Sequence, residues 1–279
     1  MLMEKAEIID NNTEFKLLAQ GITAEVYLYG NGKILKLFRE NMPIEPITAE
    51  YKKAELISSD LHNVPKAYKI IEYRGRFGIV YEKIDGSDMI SAMLKGIGRV
   101  KEYSKQLARI HFELHSHKTD VGCYVKSKLG LDVEGASFLS KAEKEKVKSY
   151  LQALPDRNEL LHFDFHPGNI LISGGEPIVI DWMTACTGDR CADAARTCLL
   201  LQYGELGYAN FIVRKAARVF EKYIGKIYIE EYKRISGVSQ EDIDRWLLPV
   251  AAGRLREWVT DGERKRLLRL VRGKLGELD

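Results

Sequence analysis

The chain has 279 residues, 45% hydrophobic and 30% charged, which suits one large domain or two lobes with an ample buried core. Its 43 lysines and arginines against 40 aspartates and glutamates leave a net charge of +3 spread among mixed signs, so nothing here favours a nucleic-acid binder. No run approaches the ~18 apolar residues of a membrane span, and Met1-Leu2-Met3-Glu4-Lys5 lacks the apolar stretch of a signal peptide, so the chain reads as cytoplasmic.

In chain order, Phe15 to Gln20, Glu25 to Tyr29 and Lys33 to Phe38 are short, rich in aromatic and aliphatic residues, and punctuated by glycine. They predict three strands, with Gly30-Asn31-Gly32 as a tight hairpin between the second and third. Ile47 to Leu61 sets Ala54, Leu56 and Ile57 at roughly helical spacing and predicts a helix. Two more strands, Ala67 to Glu72 and Phe77 to Glu82, flank the turn Tyr73-Arg74-Gly75-Arg76. Residues 1–84 thus read as a five-stranded antiparallel-style sheet with one helix.

Beyond Asp85-Gly86 the character changes. Val100 to His117 is strongly amphipathic, carrying Tyr103, Leu107, Ile110, His111 and Leu114, and Lys141 to Leu154 reads as a charged, partly exposed helix. Short strands surround Leu160 to Ile180, and from Asp189 onward the pattern is nearly all helical. With no internal repeat and no low-complexity linker, the boundary near Ile84 reads as a hinge between residues 1–84 and 85–279. Cys123, Cys186, Cys191 and Cys198 make no disulfide framework in so long a chain. The last three lie near one another without CxxC spacing or an intervening histidine, and buried free thiols fit them better than zinc.

The chemistry is concentrated in Leu161-His162-Phe163-Asp164-Phe165-His166-Pro167-Gly168-Asn169-Ile170-Leu171, followed by Pro177-Ile178-Val179-Ile180-Asp181-Trp182. Two apolar runs flank a polar loop, and the next strand ends in aspartate. Asp164 and Asn169 are separated by a Pro-Gly turn, so one loop can aim both at a cleft that Asp181 can join. Phosphoryl transfer needs such a set: a carboxylate to orient the attacking hydroxyl, and oxygen ligands to hold a hard cation against nucleotide phosphates. Each aspartate alone would read as a turn residue capping its own backbone; it is the spacing of all three that argues for chemistry.

His162-x-Asp164-x4-Asn169 followed by Ile180-Asp181 resembles the catalytic loop and metal-binding aspartate of the aminoglycoside phosphotransferase and choline-kinase-like family. The resemblance covers about residues 15 to 200. It implies an α+β, two-lobed protein-kinase-like fold with a small β-rich N-lobe, a larger mostly helical C-lobe, and the nucleotide between them. It further implies Asp164 as catalytic base, Asn169 and Asp181 as Mg²⁺ ligands, and His162 as a support for the loop. Lys36, set between large apolar residues in Ile34-Leu35-Lys36-Leu37-Phe38, would reach the phosphates. Glu50 would pair with Lys36, and Glu55 is a rival for that role. The turn around Gly21, in Gln20-Gly21-Ile22-Thr23-Ala24, would cover the phosphates, although it holds a single glycine. Tyr81-Glu82-Lys83-Ile84-Asp85-Gly86 would be the hinge, with the backbone of Glu82 and Ile84 reading the adenine edge. No GxxxxGK[ST] is present, so a Walker-type fold is not supported.

After Asp181 the chain enters a helical pattern, Ala192 to Leu201, without the long activation segment of a protein kinase. A small-molecule hydroxyl is therefore the expected acceptor, with Mg²⁺ and ATP, or GTP, supplying the phosphate. The helical remainder, Tyr208 to Leu278, would form the acceptor wall. It leans basic through Arg254, Arg256, Arg264, Lys265, Arg266, Arg269 and Arg272, which gives no support to a polycationic aminoglycoside and fits a sugar, an amino alcohol or an anionic metabolite. The alternatives are a nucleotide-binding pseudokinase with a regulatory role, whose mark would be a missing catalytic aspartate, and an atypical protein kinase.

Overall fold

The computed structural model describes residues 6–204 and 211–278, with the side chains of all of these except Ile97 and residues 211–214. Met1 to Lys5, and the Tyr208 start of the expected acceptor wall, lie outside the described residues.

Strand alternation organises the first unit, Met1–Asp88 with Asn169–Met183. Along the strand Lys33–Phe38, Leu35 and Leu37 point to one face and pack with Ile71, Tyr73 and Val80. Phe38 points to the other and packs with Ala24, Ile47 and Ile79 beneath the helix Ile44–Asp60. Period-two geometry therefore sends Lys36 to the helix-covered face. The five expected strands all form, as Leu17–Gln20, Ala24–Leu28, Lys33–Phe38, Ala67–Tyr73 and Arg76–Glu82. A sixth, Glu7–Ile8, adds in parallel to Ala67–Tyr73 at one edge. The neighbouring ladders are antiparallel. Gly30 and Gly32 take φ of 62° and 68° in the expected hairpin, and Arg74 and Gly75 take 52° and 70° in the other, the left-handed conformations such tight turns require.

A small sheet in the same unit joins Ser87–Asp88, Ile170–Ser173 and Glu176–Val179. Gly86 permits it: a β-carbon there would stand 2.4 Å from the Ile172 carbonyl oxygen.

The second unit, Met89–Gly168 with Thr184–Asp279, is mainly helical. The expected helices form as Ile97–Leu114 and Lys141–Ala153, the latter closed by a capping box of Ser140 and Glu143. A further helix, Val125–Gly135, buries Val125, Leu129 and Val133. Its apolar stripe is one residue wide and interrupted by glycine, which left little periodic signal. The helix Arg190–Tyr203, N-capped by Asp189, is buried along most of its length and packs against the helices Phe211–Ser236 and Gln240–Arg254. Apolar almost all round, it belongs at the centre of its unit. A final helix, Asp261–Gly276, packs on Gln240–Arg254. A two-stranded ribbon pairs Glu159–Leu161 with Cys186–Gly188. All four cysteines are free thiols, three of them buried. Among the described residues no helix is long and apolar enough to cross a membrane.

Candidate active site

In the first unit, one lysine joins two carboxylates. Lys36 Nζ donates to Glu50 Oε1 at 2.8 Å and to Asp181 Oδ1 at 2.9 Å. Glu50 is 2% exposed and also accepts the Tyr81 hydroxyl at 3.0 Å. Burial works against the charge on Lys36, but Glu50 and then Asp181 outweigh it and raise the amine above its ordinary value. The rival Glu55 accepts the Tyr51 hydroxyl at 3.4 Å and, among the described residues, makes no ion pair with Lys36. Helical spacing explains the choice. Glu50 lies on the buried stripe Ile47, Glu50, Ala54, Ile57, whereas Glu55 is on the outer face.

Asp181 follows the strand Glu176–Val179 with φ of 65°, a left-handed conformation that aspartate tolerates better than most residues. The Ile180 amide donates to the Asn169 carbonyl at 2.9 Å, so Asn169 lies beside the Asp181 segment. Both side chains present oxygen donors, and Asp181 is 44% exposed. That donor set fits a hard divalent cation such as Mg²⁺.

The second unit holds the loop that carries Asp164. His162 is fully buried; its Nδ1 accepts the Asp164 amide at 3.2 Å, and its carbonyl accepts the Thr184 hydroxyl at 2.9 Å. Phe163 has φ of 63°, forced conformational work for a bulky residue. Its position is fixed by Asp193, whose carboxylate accepts the His162 amide at 2.6 Å and the Phe163 amide at 3.0 Å. Asp164 itself is 29% exposed, 3.8 Å from Arg196 and 3.8 Å from His166 Nε2.

The described fold corresponds to that of known proteins. Residues 14–223 match the profile of the phosphotransferase enzyme family. The chain belongs to that family. No curated protein matches it in sequence. An aminoglycoside phosphotransferase solved with ADP is 16% identical, covering 94% of this chain and 92% of its own, with a TM-score of 0.54. A streptomycin–ATP ternary complex of another such enzyme is also 16% identical, covering 87% and 86%, with a TM-score of 0.55. Choline kinase from Cryptosporidium parvum is 14% identical, covering 95% and 90%, with a TM-score of 0.56. At that identity the likeness shows a shared, protein-kinase-like fold.

This phosphotransferase-family chain also uses residues that motif reading passed over. Arg39 ties down the Gly21 turn, donating to the Gly21 carbonyl at 2.9 Å and to Glu25 at 2.8 Å, and Arg76 joins the same carboxylate at 2.8 Å. Hydrogen bonding from Arg76, against a burial penalty, holds the Glu25 carboxyl below its usual value. Behind the loop that carries Asp164, Asp193 stands 3.1 Å from His111 Nε2 and 3.3 Å from His115 Nε2. The other nitrogens of these rings meet the Tyr228 and Tyr232 hydroxyls at 2.7 Å each. Burial would raise the Asp193 carboxyl, yet the imidazoles hold it well below the carboxylate range. Burial, aided by His115, pushes His111 down to about 3, so its ring is neutral. The trio has ligand-like spacing, yet each imidazole also meets a tyrosine hydroxyl, and it reads as a hydrogen-bond hub.

Arg196 lies behind Asp164 and pairs with Glu257 at 2.8 Å. A visible signal existed for this support: Asp193 and Arg196 are the only charges in the otherwise apolar stretch Cys191 to Leu201. Of the carboxy-terminal arginines, Arg254 pairs with Glu257 and Glu263, Arg256 with Asp132, Arg264 with Asp261 and Arg272 with Glu143.

Proposed function

We propose that the protein is a small-molecule kinase that moves the γ-phosphate of ATP to an alcohol hydroxyl. The observation that carries this reading is the Lys36–Glu50–Asp181 constellation, in which a lysine is held ready for phosphate by one buried and one exposed carboxylate. On phosphate binding, Lys36 keeps Glu50 as its anchor, so its position does not depend on the ligand. Tyr81 fixes Glu50 in turn. Asn169 and Asp181 would hold Mg²⁺, which when bound neutralises charge on the phosphate oxygens. The Glu82 amide is taken by the Lys66 carbonyl at 2.8 Å, so the reading assigns adenine recognition to the Glu82 carbonyl and the Ile84 amide. The Gly21 turn, braced by Arg39, would cover the phosphates.

Asp164 orients the acceptor hydroxyl and takes its proton as the bond to phosphorus forms. Asp164 is 29% exposed, so a hydroxyl can reach its carboxylate, while Asp193 and His162 keep the loop in place. Positioning and charge neutralisation supply most of the acceleration. A small acceptor is supported by the route after Asp181. The chain passes through the short turn Trp182–Thr184 and the strand Cys186–Gly188 directly into the helix Arg190–Tyr203, with no peptide-binding segment. Two solved structures that this chain resembles in fold hold ADP in one case and streptomycin with ATP in the other, which agrees with nucleotide use and a small acceptor. The reading places the enzyme in the cytoplasm, where ATP is available.

The test is ADP release from Mg²⁺·ATP across a panel of aminoglycosides, choline-type alcohols, sugars and amino-acid alcohols, with Asp164→Asn as control. Turnover that disappears in the variant supports the assignment. A protein that does not bind Mg²⁺·ATP sinks it.

A further inference from the structure

The second unit contains a cavity of about 630 Å³ that opens beside the catalytic loop. His166 and Pro167 form one wall, and His166 is the same residue whose Nε2 stands 3.8 Å from Asp164. A molecule seated there can therefore extend to the proposed base. The size is in the range of pockets that enclose a small ligand.

Most of the lining is hydrocarbon, with Ile90, Leu94, Leu200, Phe220 and Ile224 as its larger members. Leu94 is 69% exposed at the cavity's edge. Among the described residues two ionic groups, Arg254 and Glu221, reach the cavity. Arg254 is already matched by Glu257 and Glu263. Glu221 is different: it is half-buried and has no hydrogen bond or ion pair among the described residues. Burial pushes its carboxyl up to about 7, with Arg218 opposing and Glu263 reinforcing that rise.

A carboxyl left without a partner in an apolar wall is destabilising, and a ligand cation relieves that penalty while gaining charge-assisted hydrogen bonds. A neutral sugar would match neither the hydrocarbon nor the acid. A polycation would find one carboxyl and an arginine. We infer that the acceptor is an alcohol with a bulky apolar body and a single amine, the body filling this cavity and the ammonium facing Glu221. This inference rests on the kinase reading for the fate of the hydroxyl. There the alcohol oxygen bonds to the γ-phosphorus as the bridging bond to the β-phosphate breaks. ADP leaves, and the hydroxyl proton passes to Asp164.

Three probes separate the parts: N-methyl-N-octylethanolamine, ethylene glycol mono-octyl ether, which lacks the amine, and N,N-dimethylethanolamine, which lacks the apolar body. Binding is read by calorimetry on the full chain, without nucleotide. The octyl amine is expected to bind most tightly and to weaken about tenfold or more in Glu221→Gln. The ether should bind equally to wild type and variant. Ala217→Trp, which fills the cavity from the Phe211–Ser236 helix, should abolish binding of both octyl probes while the melting temperature shows the protein folded. The inference is overturned by an ether that binds as well as the amine, by dimethylethanolamine matching the octyl amine, or by a folded protein that binds none of them. Failure of the kinase reading shows separately, as lost Mg²⁺·ATP binding or as turnover of the octyl amine that survives Asp164→Asn.

Discussion

Lys36 in the first unit is held by the residues it is proposed to work with, whereas Asp164 in the second is held through the backbone of its own loop. Glu50 and Asp181 contact the lysine directly, at 2.8 and 2.9 Å. Asp164 stands 3.8 Å from both Arg196 and His166, and its segment is placed by backbone amides gripped by the buried Asp193 and by His162. The difference follows from what each group must do. A lysine that stays charged among apolar residues requires compensating carboxylates at all times. A base must keep its oxygens available for a hydroxyl, so rigidity has to be supplied by the main chain. Function and stability should therefore separate in the second unit and overlap in the first.

That contrast is most sharply broken by Asp164→Asn. Turnover should fall about 10²- to 10⁴-fold, with nucleotide affinity and melting temperature near wild type. A large drop in melting temperature would show that Asp164 is structural. Asp193→Ala should do the reverse, leaving two amides and two imidazoles facing an empty site, with a loss of about 3–5 kcal/mol in stability. Unchanged urea denaturation would remove the hub from the account. Lys36→Met should lower turnover by about 10²-fold or more and weaken nucleotide binding in the same experiment. Retained ATP affinity with normal turnover would dismantle the first half of the site.

A pH scan probes the hub more gently. The His111 ring, ordinarily titrating near 6.5, is held down to about 3. The unfolded chain takes up that proton first, so stability is complete above about 6.5 and declines as pH falls toward 3, by about 2 kcal/mol at pH 5. Glu221, raised to about 7, has the opposite sign between about 4.5 and 7. Scans of Glu221→Gln with and without His111→Gln isolate the histidine, and equal slopes in the two would refute its assignment. Glu257, held down to about 2 by Arg196 and Arg254 against its burial, adds its loss only below the ordinary glutamate range. The smallest effect is expected for Tyr81→Phe, which removes one hydrogen bond to Glu50 at a cost of about 1 kcal/mol. A modest fall in ATP affinity should accompany it.

Reading the residues in order was enough for the elements of local origin. Lys33–Phe38 was delimited to the residue because alternation and the glycine hairpin are short-range signals. The same holds for the loop from His162 to Asn169, whose spacing carried the family resemblance that the match over residues 14–223 bears out. What ran below detection was the support. Arg39 and Glu25 are unremarkable charges in sequence, and the strand pairing that sets Glu25 opposite Leu37 is what brings them to the Gly21 turn. His111 and His115 lie one turn apart on an amphipathic helix, a pattern equally suited to a packed core, and only Asp193 from another helix makes them a hub.

The sequence by itself determined five of the six strands of the larger sheet with its helix, the presence of the candidate loop residues, and the near-balance of charge. Those depend on spacing and side-chain chemistry along the chain. The tertiary structure decided that Glu50 and not Glu55 meets Lys36, that Asp193 and Arg196 back the loop, and that Glu221 faces an apolar cavity. The physical reason is that burial and low-dielectric pairing arise from which faces meet across the fold, and residue order alone leaves those faces unassigned.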